Sequence, residues 1–429
     1  MKKVIGILAL LVFAGNIASA ELLKNFKYDG KVEVNAYTSN NNNDNNGDTD
    51  DKTSDVDTRV QINMGFDLAE DVDAVVSVVK NDRQYNGTSQ DVNTITTKLF
   101  VEQAYLNLKG VLGFDHKVGR QYYGNEGDLV VYAGPQGWPY PTNYGVGTAM
   151  NVTAVDAYTG WYTNGKLALH GIAGKTANNN AYPNVDTDVT GIVGKYNLME
   201  LLNVGAYVYE KKDYVAAGGK DITLDVVGVK ADGKVEGLNL GYYGEMAKNY
   251  GRQAAGVNYT GSALLLGANM DLNVMGKWTF SGEMAMGSGD KDAADKNKAF
   301  QAIASDYRPG LIWGGLNGMS GLANTGVNNT GLTTWNLGAK WNPEFAEKLT
   351  LCGKLINLTP TEEKVNGTAT GYDKIGNELD ITAKWQHNEN VALGAYLAYF
   401  SIDKDYSAVM GGTDDEATTL LGLTLNVKF

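Results

Sequence analysis

Only five arginines occur in this chain of 429 residues, and three of them, Arg59, Arg83 and Arg120, follow one another closely in order. A guanidinium is always charged and presents a planar fork of donors. Set on one wall opposite acids such as Glu102, three of these groups would impose a transverse field and favour anions, because rows of charge tune selectivity in a wet conduit. The other arrangement is pairwise, each arginine bound to a neighbouring acid as a polar contact of the wall.

Catalytic chemistry finds less support. A hydrolytic site needs a base, usually histidine, near a nucleophile or activated water, and His116, His170 and His387 stand in no His-x-Ser setting. Asn42, Asp44, Asn46, Gly47 and Asp48 imitate the start of an oxygen-rich Ca²⁺ loop, but Thr53 occupies the position where a bidentate Glu is required. Gly174-Lys175-Thr176 ends like a phosphate loop whose first glycine is replaced by Leu169, and Gly145-Val146-Gly147 has no third glycine. These patterns predict no catalytic residue, no cofactor and no metal. The single cysteine, Cys352, excludes an internal disulfide.

The elements that must position the charges are strands. Residues 1–20 have a basic start (Lys2, Lys3), an apolar stretch and a small-residue end, Ala18-Ser19-Ala20, which reads as a secretory signal. The remainder, residues 21–429, reads as one domain. It has no further stretch approaching the roughly 20 apolar residues of a membrane helix, so only a closed barrel would let it cross a bilayer with every backbone group paired. Composition agrees: 53 Gly, 25 Tyr, 7 Pro and 43% hydrophobic residues spread as a wall apolar at alternate positions requires. The formal charge of −13, more negative once Lys2 and Lys3 leave, argues against nucleic acid as a partner.

The clearest segment is 59–68, where every even position is apolar and nearly every odd one is polar. This is a strand wet on one face only. A charge facing lipid can cost about 2 to 4 kcal/mol at mid-membrane, so Arg59, Gln61, Asn63 and Asp67 must point inward. The same alternation recurs to give about eighteen strands, including 235–248 and a single strand at 252–270. Short links such as Asn164-Gly165, Asp232-Gly233 and 387–390 alternate with long ones at 39–57, 124–152, 289–330 and 403–416, the rhythm of short periplasmic turns and long extracellular loops. All seven prolines fall outside strand interiors. The expected fold is therefore an all-β transmembrane antiparallel barrel.

Parity then assigns the bore. Lys31, Glu33, Arg59, Asp67, Arg83, Asp225, Glu245, Lys277, Glu283, Lys340, Lys354, Glu378, Asp380 and Lys384 are expected inward, with Arg120 completing the arginine row. Glu102 shares its side with Phe100, Ala104, Leu106 and Leu108, so parity leaves its facing open. An eighteen-stranded barrel is too wide for wall side chains to fill. The loop 124–152, with Asp128, Trp138, Tyr140 and Tyr144, is the first candidate for a constriction, and the loop 289–330, with Arg308, is the second. Trp278, Phe280, Trp335, Trp341, Trp385, Tyr399 and Phe429 sit at outward parity near strand ends, as interface girdles do.

Val101-Glu102-Gln103-Ala104-Tyr105-Leu106, Val118-Gly119-Arg120-Gln121 and Gly376-Asn377-Glu378-Leu379-Asp380-Ile381-Thr382 resemble strands of the alginate-export porin family. The resemblance implies an eighteen-stranded monomeric barrel that moves polar, often anionic, solutes. Together these readings predict an outer-membrane channel, in a bacterium with a two-membrane envelope, for small hydrophilic solutes or anionic oligosaccharides. Export of an acidic polysaccharide such as alginate is the alternative, followed by a barrel enzyme or a surface structural protein. Outer-membrane lipid would be a partner, and the C-terminal strand ending at Phe429 would engage the barrel-assembly machinery.

Overall fold

The computed structural model describes residues 25–42, 51–83, 99–135, 154–177, 186–199, 201–214, 220–254, 256–292, 296–323, 325–327 and 329–429. Its wall begins with β1 (Lys27–Asn40), β2 (Thr53–Ala69), β3 (Val72–Arg83), β4 (Leu99–Val111), β5 (Phe114–Gln121) and β6 (Val155–Asn164). It continues through β7 (Leu167–Ala177), β8 (Thr187–Met199), β9 (Leu202–Asp213), β10 (Ile222–Val235), β11 (Leu240–Ala254) and β12 (Ser262–Asn273). β13 (Gly276–Gly287), β14 (Leu332–Pro343), β15 (Leu349–Pro360), β16 (Gly376–Gln386), β17 (Val391–Ile402) and β18 (Thr418–Lys428) complete it. Each strand pairs antiparallel with its sequence neighbours, and β18 pairs with β1, closing an 18-strand barrel. No helix among the described residues is long and apolar enough to cross a membrane.

Alternation is written into burial. Along β10, Leu224, Val226 and Gly228 are buried, whereas Val227 and Val229 are 41% and 54% exposed on the outer face. Leu266, Leu337, Leu355, Ile381, Leu397 and Leu423 continue this apolar exterior around the barrel. On the inner face, bulky tyrosines lie directly across from glycines: Tyr209 opposite Gly191, Tyr207 opposite Gly228, Tyr243 opposite Gly267 and Tyr396 opposite Gly422. A Cβ added at any of these glycines would collide with the tyrosine ring. The ring thus shields backbone that glycine leaves bare, a pairing that strengthens curved sheets and accounts for the joint abundance of the two residues.

Two sequence readings shift. Asp232-Gly233 is not a turn: β10 runs through it to Val235 and the chain reverses at Glu236–Leu238. Gly233 is needed instead for close packing, since a side chain there would meet the Tyr242 hydroxyl and the Leu201 carbonyl. In consequence β11 and β12 lie several residues later than expected, with the single strand over the ambiguous stretch starting at Ser262. In addition, β4 carries a bulge where Ser77 pairs with Gln103 but Val78 pairs with Val101, leaving Glu102 as the extra residue. A bulge changes phase, so Glu102 and Gln103 are both buried toward the bore.

Candidate solute pathway

Two segments of the long-loop end fold into the bore. The larger is 289–330, whose Phe300, Ile303, Leu311, Ile312 and Trp313 are buried. It is fastened to the wall through backbone donors: the Ile312 and Trp313 N–H groups donate to the two Glu378 oxygens at 2.7 and 2.9 Å, and the Leu311 N–H to Asp380 at 3.1 Å. Gly310 lies so close to the Glu378 carboxylate that a Cβ would sit 2.5 Å from it, which explains glycine at that place. Lys354 donates to the Pro309 carbonyl at 2.6 Å. Glu283 on β13 gathers the hydroxyls of Tyr243 and Tyr307 at 2.5 and 2.9 Å. Trp313 then packs between Phe400 and Tyr406, each ring centroid 6.0 Å away.

The second segment runs from Tyr123 to Pro135 and lies against the first. Val131 and Ala304 form a parallel bridge, with N–H donation from Tyr132 to Ala304 and from Ala304 to Val130, both at 2.9 Å. Asp306 accepts from the Gly127 N–H at 2.8 Å and is ion-paired with Arg308. These contacts join both segments into one plug fixed to β13–β17.

The described residues leave a cavity on the opposite side of the bore. Between the 123–131 segment and β6–β10 lies a cavity of about 430 Å³ lined by Trp161, His170, Lys195, Tyr207, Tyr209 and Lys230, among others. Lys230 bridges Glu245 at 3.1 Å and Asp128 at 3.3 Å. Tyr207 donates to Glu245 at 2.6 Å, and the Tyr123 and Tyr209 hydroxyls meet at 3.0 Å. Nearby, the Lys117 ammonium stands 4.5 Å from the Tyr105 ring and 5.9 Å from Trp161. Ordered tyrosines and ammonium groups around a wet space can hold a polar solute by hydrogen bonds, ring faces and charge.

The charged residues expected in the bore separate into three groups. Arg59 points inward but is 1% exposed, held between Glu102 at 2.6 Å and Glu33 at 3.3 Å, while Lys31 reaches Glu33 at 3.0 Å. Glu378 and Asp380 also point inward, yet the plug covers them, as it covers Arg308. Asp67 lies at the short-turn end with Lys27 at 3.3 Å, and Lys384 has inward parity. Arg83 ends β3 in register with Asp57, and its side chain lies outside the described residues.

Arg120 and Asp225 correct the sequence reading. Arg120 shares the outward face of β5 with the exposed Val118 and forms a two-pronged contact with Asp156 at 2.9 and 2.6 Å. Asp225 shares the outward face of β10 with Val227. Both stand near the strand ends, where the depth-dependent cost of an outward charge falls to about 0 to 1 kcal/mol; parity rules calibrated on mid-membrane positions fail there. The arginine wall is consequently not assembled, because Arg59 and Arg120 lie on opposite faces.

Of the first loop candidate, Asp128 lies in the plug beside Lys230, whereas Trp138, Tyr140 and Tyr144 lie outside the described residues. The acidic stretch 43–50 and residues 1–20, expected as a secretory signal, lie outside them too. Sequence reasoning passed over Lys117, Lys195, Lys230 and the tyrosines of the cavity; inward parity on β5, β8 and β10 was the signal available for the lysines.

No protein-family model matches the chain, and no curated protein matches it. Solved structures do share its architecture. The outer membrane protein OprD from Pseudomonas aeruginosa superposes with a TM-score of 0.59 over 95% of this chain and 94% of that one, at 12% identity. OpdQ of the same organism gives 0.61 over 96% and 99% at 10% identity, and OccK9 (OpdG) gives 0.59 over 95% and 100% at 11%. The chain therefore shares its fold with these structures.

Proposed function

We propose that the protein is an outer-membrane porin that admits small hydrophilic solutes with a bias toward anions. The observation that carries this reading is the cavity on the β6–β10 side of the bore, which Lys195, Lys230 and tyrosines surround. On this reading the long loops face outside, the short turns face the periplasm, and the chain is a channel rather than an enzyme. The C-terminal strand, in which the Gly30 and Phe429 backbones exchange hydrogen bonds at 2.9 and 3.0 Å, would be the segment presented to the assembly machinery before closure.

The test is conductance of the purified protein in a planar bilayer under a salt gradient. Discrete steps with an anion-leaning reversal potential are expected, and K195E with K230E should move that potential toward cations; a barrel with no steps overturns the proposal. Export of an acidic polysaccharide is the competing reading, and the structures that share this fold do not favour it. Block of the current by oligouronates, together with loss of a secreted acidic polymer on gene deletion, would favour that exporter over a general porin.

A further inference from the structure

Five adjacent strands carry one charged residue each at the same height on the outer wall. Arg120 on β5 is in register with Asp156 on β6, Asp156 with Lys175 on β7, Lys175 with Asp188 on β8, and Asp188 with Lys212 on β9. Their signs alternate without interruption. All five share faces with lipid-facing residues, among them Val118, Tyr158, Ile192 and Val208, and all lie within two residues of the long-loop end of their strands. Lys175 contacts Asp188 at 2.8 Å and Asp186 at 2.9 Å, and Lys212 contacts Asp221 at 3.2 Å. Arg120, Asp156 and Lys175 nevertheless keep 37%, 58% and 46% of their side-chain surface exposed.

Two further observations separate this row from an ordinary polar rim. The outward position at the long-loop end of β12 and β14–β18 is held by Ser262, Thr333, Thr359, Asn377, Ser401 and Thr419, all neutral, so the rim does not require charge. Directly below the row the wall is indented: a shallow cleft of about 480 Å³ opens where Ala173 and Thr190 lie beside the taller Val118 and Tyr158, with Asp156, Lys175 and Asp188 at its edge. Charge above and an apolar trough below match an amphiphile standing upright against the wall.

We infer that this arc seats phosphorylated glycolipid of the outer leaflet, its phosphates on Arg120, Lys175 and Lys212 and their bridging divalent cations on Asp156 and Asp188. With strands roughly 4.8 Å apart, the row's four strand-to-strand steps out of eighteen bend around a little under a quarter of a convex barrel. A second barrel would touch such a surface along a narrow upright strip and could not reach the whole row. Small headgroups packed side by side can. An alternating row also complements a phosphate and divalent-cation lattice better than it would a uniformly anionic or neutral partner. The inference needs the outer wall to face outer-membrane lipid, as the proposed function does, but it does not need the bore to conduct.

The test uses the full barrel in vesicles of phosphatidylethanolamine alone, or doped with bisphosphorylated or dephosphorylated lipid A, in Mg²⁺ or EDTA. Lipid A retained per barrel after gentle extraction is measured by mass spectrometry. Wild-type protein should retain the phosphorylated form in Mg²⁺ at least about tenfold better, a difference of roughly 1.4 kcal/mol, than R120Q/K175Q/K212Q, with conductance unchanged. The exchange D156K/K175D keeps net charge and a local ion pair but breaks the alternation, and it too should lose retention. Equal retention by these variants, or equal retention of the dephosphorylated lipid, overturns the inference. Loss of conductance with retention intact would count against the porin reading alone.

Discussion

Along β13–β17 the inner wall is covered by folded chain, whereas along β6–β10 it borders a cavity, and the two sides use charge in opposite ways. On the covered side Glu378 and Asp380 accept three consecutive backbone N–H groups. Carboxylates suit that role because they accept without donating and can serve several N–H groups at once. On the hollow side Lys117 and Lys230 set their ammonium groups over tyrosine and tryptophan rings, and Lys230 is shared with Glu245 of the wall and Asp128 of the 123–135 segment. Wall carboxylates do most of the fastening of the larger segment, and wall lysines beside aromatic rings border the cavity.

The largest test of this division is to remove the larger segment of the plug. Asp290 donates its N–H to the Asn329 carbonyl at 2.7 Å, so the neck of the loop is already closed, and residues 291–328 can be replaced by a short linker without straining the barrel. An eighteen-stranded lumen relieved of that segment is wide, and unit conductance should rise by more than about twofold. If conductance is unchanged, the covered side was never the barrier. A comparison of two arginines comes next. R59A strips the partner from a Glu102 that is 5% exposed, and breaking such a buried pair typically costs about 3 to 5 kcal/mol. R120A removes an exposed pair with Asp156, worth about 0 to 1 kcal/mol. Midpoints of thermal unfolding, read from the shift in electrophoretic mobility of the folded barrel, should fall clearly for the first and barely for the second.

A smaller effect isolates the fastening. E378A leaves the N–H groups of Ile312 and Trp313 without their acceptors, at about 1 to 3 kcal/mol for each buried donor. The barrel should stay folded while the plug loosens, which hydrogen exchange at 311–313 and added current noise would report. Exchange confined to wild-type rates would mean that Trp313 packing, rather than the carboxylate, holds the loop.

The wall was legible in the sequence because lipid on one side and water on the other impose a period of two on every strand. Legibility ended where that constraint ends. Glu102 defeated parity because one inserted residue turns both it and Gln103 inward. Arg120 defeated it because a charge near the rim is tolerated outward. The plug was legible only as length: its rank between the two long loops depended on contacts such as Gly310 against Glu378, which join positions far apart in the chain. The cavity lysines were visible by parity one at a time, but their convergence depends on closure and on the place where the plug leaves space.

The smallest prediction concerns the neck of the plug, outside the strands. Asp290 is 4% exposed, and its Oδ1 has no hydrogen-bond partner among the described residues. Burial raises its pKa above the ordinary carboxylate value, outweighing the backbone donors of Lys298 and Asp292 that pull it down. A carboxyl raised in the folded state binds its proton more tightly there than in the detached loop. Its contribution therefore favours the docked plug at low pH and weakens as pH climbs from the ordinary value through the raised one. D290N should remove this dependence and slow hydrogen exchange of the neck amides at neutral pH, with little change at acid pH. If the variant instead speeds exchange at neutral pH, the ionised carboxylate is engaged by its neighbours more strongly than burial opposes it, and the neck belongs with the carboxylate-fastened side of the bore.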